Sequence, residues 1–460
     1  MSAPTSTTRA ATDATRILAA HAVRTELADL STEALENAKL VVLDTLGVML
    51  AALDFPVGRT VVEYVDAIGG GGDARVFGTS VRAPAPLAAL AGGTLAHALD
   101  YDDHKHLTTH TLPAILAVGE RLEVSGADAL AAYVVGREVG ATIGSIVEAK
   151  RKQKRGPTFR GWYRVGVVGP IATAAAVGRL LRLDEEGMAR AIGIAASSSA
   201  GLRRNQGTMA KALHSGNAAS AGINAAFLAQ RGFSGDPAIL ESPLGLVNAL
   251  CQPGEPEWEP IERFGRPFDI EGRLGVKPFP ACSPSHAPLA VLLEIIAEHA
   301  VAPADVVAIE ADLHPFSLMR SDPQEAIATG FSLPFLLAAA VVNGRLGLDE
   351  VGTRMLHDPQ VRSLMTRVVH DPEAARPGQP ERVTLRLADG RVLTGSIADK
   401  PSLTASDAVI AKYRDSAGRR LAPDDVDALL TAVMTWDDAD GIGVLLDIAE
   451  RAASVPAPTA

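Results

Sequence analysis

Four histidines and three aspartates stand within fourteen consecutive positions, His97, Asp100, Asp102, Asp103, His104, His106 and His110, in a chain that holds eleven histidines in all. An imidazole takes up and releases a proton near neutral pH, and a carboxylate beside it can fix its orientation and raise its basicity. The cluster therefore reads as a proton-transfer site. It has equally the make-up of a solvated helix end whose acids and bases pair with one another. A metal is a third reading, because His104, His106, His110 and Asp100 are all ligand types. No zinc-enzyme spacing such as HExxH occurs, so the expected site has no metal.

Two further segments carry reactive side chains. In residues 207–219 (GTMAKALHSGNAA), Lys211 and His214 are three apart and share one face of a helix whose other positions are small. A lysine there can meet a substrate carboxylate or act as an amine, or simply snorkel to the surface. Residues 277–286 (KPFPACSPSH) hold Lys277, Cys282 and His286 on a backbone stiffened by three prolines, either facing a cleft or forming a stiff connection. Nothing in the spacing lowers the thiol pKa of Cys282, as a nucleophile would require.

The elements that must position these residues are mostly helices. Residues 85–98, 127–147, 170–181, 185–200 and 210–230 repeat apolar or small side chains at i, i+3, i+4 and i+7. Asp184 is an expected N-cap, so that residues 168–200 read as two antiparallel helices. Around residues 253–267 (PGEPEWEPIERFGRP) proline and charge break the pattern and mark a boundary. Beyond it, residues 306–313 alternate like a strand, and residues 382–397 form two alternating runs about Asp389-Gly390, a hairpin signal. Two helical stretches, 335–342 and 348–356, lie between them, and a further helix is expected at 289–297. Residues 424–434 and 442–453 return to helical periodicity. The expected fold is mainly α: a large all-helical domain built from both chain ends, 1–266 and 399–460, with an inserted smaller α+β lid domain, 267–398. A cleft at such a junction is a common place for a small-molecule site.

Composition narrows the function. The chain has 43 Lys+Arg against 54 Asp+Glu and a formal net charge of −11, which argues against nucleic-acid binding. Gly69–Gly72 lacks the phosphate-loop lysine, and no GxGxxG opens a helix after a strand, so no nucleotide is expected. The basic run at residues 150–155, with Arg160 and Arg164, reads as a solvated loop. Residues 40–53 (LVVLDTLGVMLAAL) are interrupted by Asp44 and fall short of the ~20 residues that span a bilayer, so no membrane partner is expected. Two cysteines, Cys251 and Cys282, fit a reducing compartment, and the expected location is cytoplasmic. The Ser/Thr-rich start, with two arginines and no apolar region after it, reads as a frayed terminus.

These segments in their order resemble the MmgE/PrpD family, which includes 2-methylcitrate dehydratase, cis-aconitate decarboxylase and iminodisuccinate epimerase. The resemblance covers nearly the whole chain. It is carried by residues 40–53, 93–103 (GTLAHALDYDD), 161–177 (GWYRVGVVGPIATAAAV), 207–219, 228–233 (LAQRGF) and 277–286. It implies a homodimer without metal or organic cofactor, acting on a small carboxylic acid. It also implies a cofactor-independent lyase that abstracts a proton next to a carboxylate, in a dehydration or a decarboxylation. An epimerase of a small dicarboxylic acid and a non-catalytic carboxylate binder are the alternatives. Asp100 matches the family's active-site aspartate, and it would orient the catalytic histidine. His106 is the preferred match to that histidine and His110 the alternative, depending on how a shortened loop is aligned. Lys211 and Lys277 match family lysines and would neutralise substrate carboxylates, with His214 in the same segment. The chain departs from the family pattern at three places: His104 stands where threonine is common, Tyr163 where many members have histidine, and Cys282 where the decarboxylase has histidine. His104 or Tyr163 would protonate a leaving hydroxyl.

Overall fold

The computed structural model describes residues 13–454 except 151–152, 273, 315–317, 372 and 375–379. The first twelve residues, and Arg151 and Lys152 of the basic run, thus lie outside the described residues.

Among the described residues, nine long helices build the first part of the chain: α1 (Ala14–Arg24), α2 (Thr32–Ala52), α3 (Pro56–Gly69), α4 (Ala85–His97), α5 (Thr108–Gly119), α6 (Gly126–Val147), α7 (Arg164–Leu180), α8 (Glu185–Ala196) and α9 (Met209–Gln230). Side-chain caps start several of them. Ser31 accepts the Ala34 N–H, Ser125 that of Asp128, and Asp184 that of Gly187 at 2.7 Å, each satisfying a donor that the first turn leaves unpaired. A short ribbon, β1 (Ala74–Arg75) with β2 (Arg82–Ala83), sits between α3 and α4. Helix α7 begins at Arg164, six residues before the expected start at Pro170. The proline has no N–H for the Gly166 carbonyl, and the Ala200 N–H bonds that carbonyl instead at 3.0 Å. One helix, α6, is long and apolar enough to cross a membrane, and it is packed among other helices of the protein.

Small residues set the spacing that matters most. A Cβ on Gly93 of α4 would lie 2.9 Å from the Cα of Gly216 on α9, so the two backbones touch. That close crossing brings the end of α4, with His97, beside the start of α9, with Lys211.

The α+β part holds α10 (His286–His299), α11 (Leu333–Asn343) and a four-stranded sheet of β3 (Val306–Ala311), β4 (Val368–His370), β5 (Glu381–Leu387) and β6 (Val392–Ile397), in the order β4-β3-β5-β6. β3 pairs parallel with β4 and antiparallel with β5, and β5 with β6 is the hairpin turning at Asp389-Gly390. Leu289, Leu292, Leu336, Leu337, Val383 and Leu385 form its own core. The stretch 348–356 is two short turns, Leu348–Val351 and Thr353–Leu356, separated at Gly352, whose backbone is extended.

The return of the chain supplies α12 (Ser406–Ala417), α13 (Pro423–Met434) and α14 (Gly443–Glu450). Tyr413 of α12 packs on Gly47 of α2, and Val409, Leu429, Val433 and Trp436 join the same core as α2 and α4, so both parts of the chain share one hydrophobic core. Periodicity does not predict α12, because its buried face includes Lys412 and Ser416. Phe268, Ile270, Leu274 and Val276 belong to that helical core, and Val276 bridges to Asp103 and Leu403. The lid core starts at Ala281. The shift in composition near residue 267 marks where helices stop, whereas packing changes hands about ten residues later.

Candidate active site

The segment between α4 and α5 carries the dense cluster, and its backbone is held in an unusual path. Asp100 and His106 are both left-handed, with φ of 50° and 58°. Non-glycine residues are strained there and stay only where the surroundings over-determine them. Those surroundings are visible. Asp103 accepts from Thr108 Oγ1 at 2.9 Å and from Arg137 at 3.2 Å, and its backbone pairs with Val276. The Asp100 carbonyl accepts from Lys277 Nζ at 2.9 Å, and the next carbonyl, that of Tyr101, accepts from Lys412 Nζ. Arg137 holds the Asp103 carboxyl down to about 2 although burial alone would raise it.

Two groupings follow from this path. His106 Nδ1 lies 2.6 Å from Asp102 Oδ2, and the other carboxylate oxygen of Asp102 lies 3.4 Å from His97 Nδ1. His97 Nε2 in turn shares a 2.7 Å hydrogen bond with the Tyr163 hydroxyl. Beside them Asp100 Oδ1 sits 2.7 Å from Lys211 Nζ and 3.0 Å from Lys277 Nζ, with His106 Nε2 at 3.7 Å. The expected orienting carboxylate was Asp100. The structure gives that contact to Asp102, because Asp100 is taken up by two ammonium groups. Burial lowers the pKa of His106 and outweighs the carboxylate of Asp102, so the imidazole rests neutral. Burial, helped by Lys211, pushes His97 down to about 3. Burial alone would raise both Asp100 and Asp102; the two lysines keep the first ionised, and the two imidazoles the second. Burial lowers Lys211, opposed by Asp100, and raises Tyr163 well above its ordinary value, so its hydroxyl keeps its proton.

A cavity of about 130 Å³ opens against this cluster, lined by Asp100, His104, His106 and Tyr163 from the helical domain and by Cys282 and Ser283 from the lid side. Lys105, Arg164 and Arg203 line it too and give it cationic walls. His104 bonds the Pro401 carbonyl at 3.0 Å through Nε2, and burial holds it down to about 3. Cys282 lies 3.3 Å from Ser285 Oγ, and burial pushes its thiol up to about 11, which makes it a wall and a poor nucleophile. Two expected residues are elsewhere. His110 is fully buried inside α5, with Nδ1 3.3 Å from Thr173 and no hydrogen-bond partner for Nε2 among the described residues, and it does not line the cavity. His214 stands behind Tyr163, ring centroids 5.4 Å apart, 3.4 Å from the Leu202 carbonyl. Asp102, His97 and Arg203 sit at or beside the cavity with no role given them by the sequence, and Arg164, expected in a solvated loop, starts α7 and lines the cavity. The one available signal was the i, i+4 spacing of Asp102 and His106.

His97, Asp100, Asp102 and His106 could in principle converge on a metal, since one ligand atom of each lies within 4.8 Å of the others. Lys211 and Lys277 already bring two positive charges to Asp100, and Lys211 Nζ is 3.3 Å from His97 Nδ1. A divalent ion there would be repelled at contact distance.

Comparison with known proteins covers most of the chain. A family model described as the MmgE/PrpD N-terminal domain matches residues 16–259, and one described as the MmgE/PrpD C-terminal domain matches residues 279–438. The chain is 27% identical over 449 residues to cis-aconitate decarboxylase of Homo sapiens, covering 90% of each chain. It is 27% identical to the Mus musculus protein of that name, over 89% of this chain and 88% of the relative. It is 24% identical to cis-aconitate decarboxylase of Aspergillus terreus (strain NIH 2624 / FGSC A1156), over 91% and 92%.

Proposed function

Because the chain belongs to the MmgE/PrpD family, we propose that it is a cofactor-independent lyase acting on a small acid with two or more carboxylates, by moving a proton at the carbon next to one of them. The observation that carries this reading is that His106, braced by Asp102, and Asp100 line one cavity, with two ammonium groups, Lys211 and Lys277, held directly behind Asp100.

Asp102 accepts the Nδ1 proton of His106 and leaves the Nε2 lone pair as the base. When Nε2 takes a proton from carbon, both Asp102 and Asp100 stabilise the imidazolium. The charge left on the substrate is enolate-like and lies toward Lys211 and Lys277, whose fixed positive charges lower its energy without reorganising. Arg164 and Arg203 attract the distal carboxylate. In a dehydration the C–O bond breaks and Tyr163, still protonated, gives its proton to the departing hydroxide, forming water. In a decarboxylation the C–C bond breaks, CO₂ leaves, and the carbanion takes a proton from His106 Nε2, which has first taken that proton from solvent and returns to the neutral imidazole. The relatives named above favour testing decarboxylation of a cis-aconitate-like acid first. The same proposal includes a homodimer in the cytoplasm.

The test is an NMR screen in D₂O of aconitate-like, citrate-like and aspartate-like acids with chelator-treated protein. Turnover of a polycarboxylate with deuterium on the reacting carbon supports the reading; activity that returns only on adding one divalent ion contradicts it.

A further inference from the structure

A second cavity, of about 270 Å³, is walled by the same Asp100. It is far larger than the ~10–15 Å³ that holds one water. Its character is the reverse of the first. Val57, Leu99, Met209, Ile327, Phe331 and Leu356 line it, and no lysine or arginine does so among the described residues, whereas Glu325 and Asp100 both do. The two lysines that hold Asp100 have sequence neighbours in this chamber. Met209 is two residues before Lys211, Pro280 three after Lys277, and the Lys211 ammonium lies 5.7 Å from the centre of the Phe331 ring. The exposed residues Pro56, Gln324 and Thr353 mark its outer end.

From this juxtaposition we infer that the chamber binds a saturated alkyl substituent, several carbons long, on the acid whose carboxylates occupy the polar cavity. The inference rests on the reading of the polar cavity as the acid site. A carboxylate finds no lysine or arginine among the described residues that wall this largely apolar chamber, and a single methyl group leaves most of its volume unfilled. An alkyl chain gains by leaving water, and it reaches the chamber from a carbon held beside Asp100 and Lys211. The specificity-determining residues are then Ile327, Phe331 and Leu356, none of which touches the proton-transfer groups of the other cavity.

Calorimetric titration of citrate-type acids carrying hydrogen, methyl, butyl or hexyl at the carbon next to a carboxylate, run beside turnover assays of the same acids, tests this. Kd should fall roughly fourfold per buried methylene until the chamber is filled. Ile327→Asp, at a half-buried position, should abolish that gain and leave the Kd of the unsubstituted acid unchanged. Thr353→Trp, at the exposed end, should shorten the best chain. A Kd that stays flat or rises with chain length overturns the inference, and turnover of the unsubstituted acid in that case leaves the lyase reading standing. Affinity that climbs with chain length without any turnover supports the chamber and refutes the lyase reading. Failure of every acid to bind overturns both.

Discussion

Two buried carboxylate–ammonium clusters flank one short stretch of backbone. On one side Asp100 is held by Lys211 and Lys277; on the other Asp44 of α2 is held by Lys412 of α12 at 2.8 Å, with the Lys412 ammonium 3.8 Å from the centre of the Tyr101 ring. They share the loop, since Lys277 bonds the carbonyl of Asp100 and Lys412 that of Tyr101. Two ammonium groups outweigh burial and keep Asp100 well below the carboxylate range. A single one does not, and burial pushes Asp44 up to about 6 despite Lys412. Asp100 borders two cavities, whereas Asp44 is buried. A perturbed buried charge is therefore not in itself a sign of catalysis. In the proposed mechanism the cluster that borders a cavity does the chemistry, and the buried one holds the loop in place.

Removing a lysine from each cluster should separate these roles. Lys211→Met deletes one cation from the developing charge and should lower kcat by ~10²–10³-fold, with a raised KM, in steady-state assays. Lys412→Met leaves Asp44 buried without its partner and should cost ~3–5 kcal/mol of stability by denaturant titration, while kcat of the folded protein falls far less than in Lys211→Met. Adding Asp44→Asn to Lys412→Met should restore much of that stability. Equal losses of kcat in the two lysine variants would erase the distinction.

The smallest effect expected is on pH dependence. His97, His104 and His110 are held down to about 3 against an ordinary 6.5, so the unfolded chain binds their protons first. The stability they contribute is full above about pH 6.5 and is lost as the pH falls from there toward 3. Asp44 runs the other way. Raised from 3.8 to about 6, it favours the folded state as the pH falls through 6 toward 4. Three histidines outweigh one aspartate, so Tm should drop between pH 6.5 and 4.5, and His110→Gln should flatten the slope in scanning calorimetry.

Much of this arrangement was legible in the sequence. Apolar period and caps give α6, α8 and α13, and Asp389-Gly390 gives the hairpin, because those signals are local. The unread parts are the non-local ones. Helix α12 hides its buried face behind Lys412 and Ser416, and the break in composition near residue 267 does not reveal that Phe268, Ile270, Leu274 and Val276 join the core of distant helices. At the site, the cluster, Lys211 and Lys277 stand out by residue type. Which aspartate serves which cation does not, because the left-handed turns at Asp100 and His106 aim the side chains, and no composition rule encodes them. His110 has the right type and spacing, yet helix α5 turns it into the core.

The central claim is that His106 Nε2 moves the proton while the rest of the cluster binds and stabilises. It is tested most directly by deuterium incorporation from D₂O at the carbon next to the substrate carboxylate, followed by NMR in wild type and in His106→Asn under identical saturating substrate. The account predicts incorporation slowed by ~10²–10⁴-fold in the variant, with substrate affinity and Tm little changed. Incorporation at the wild-type rate in a folded His106→Asn protein would contradict it.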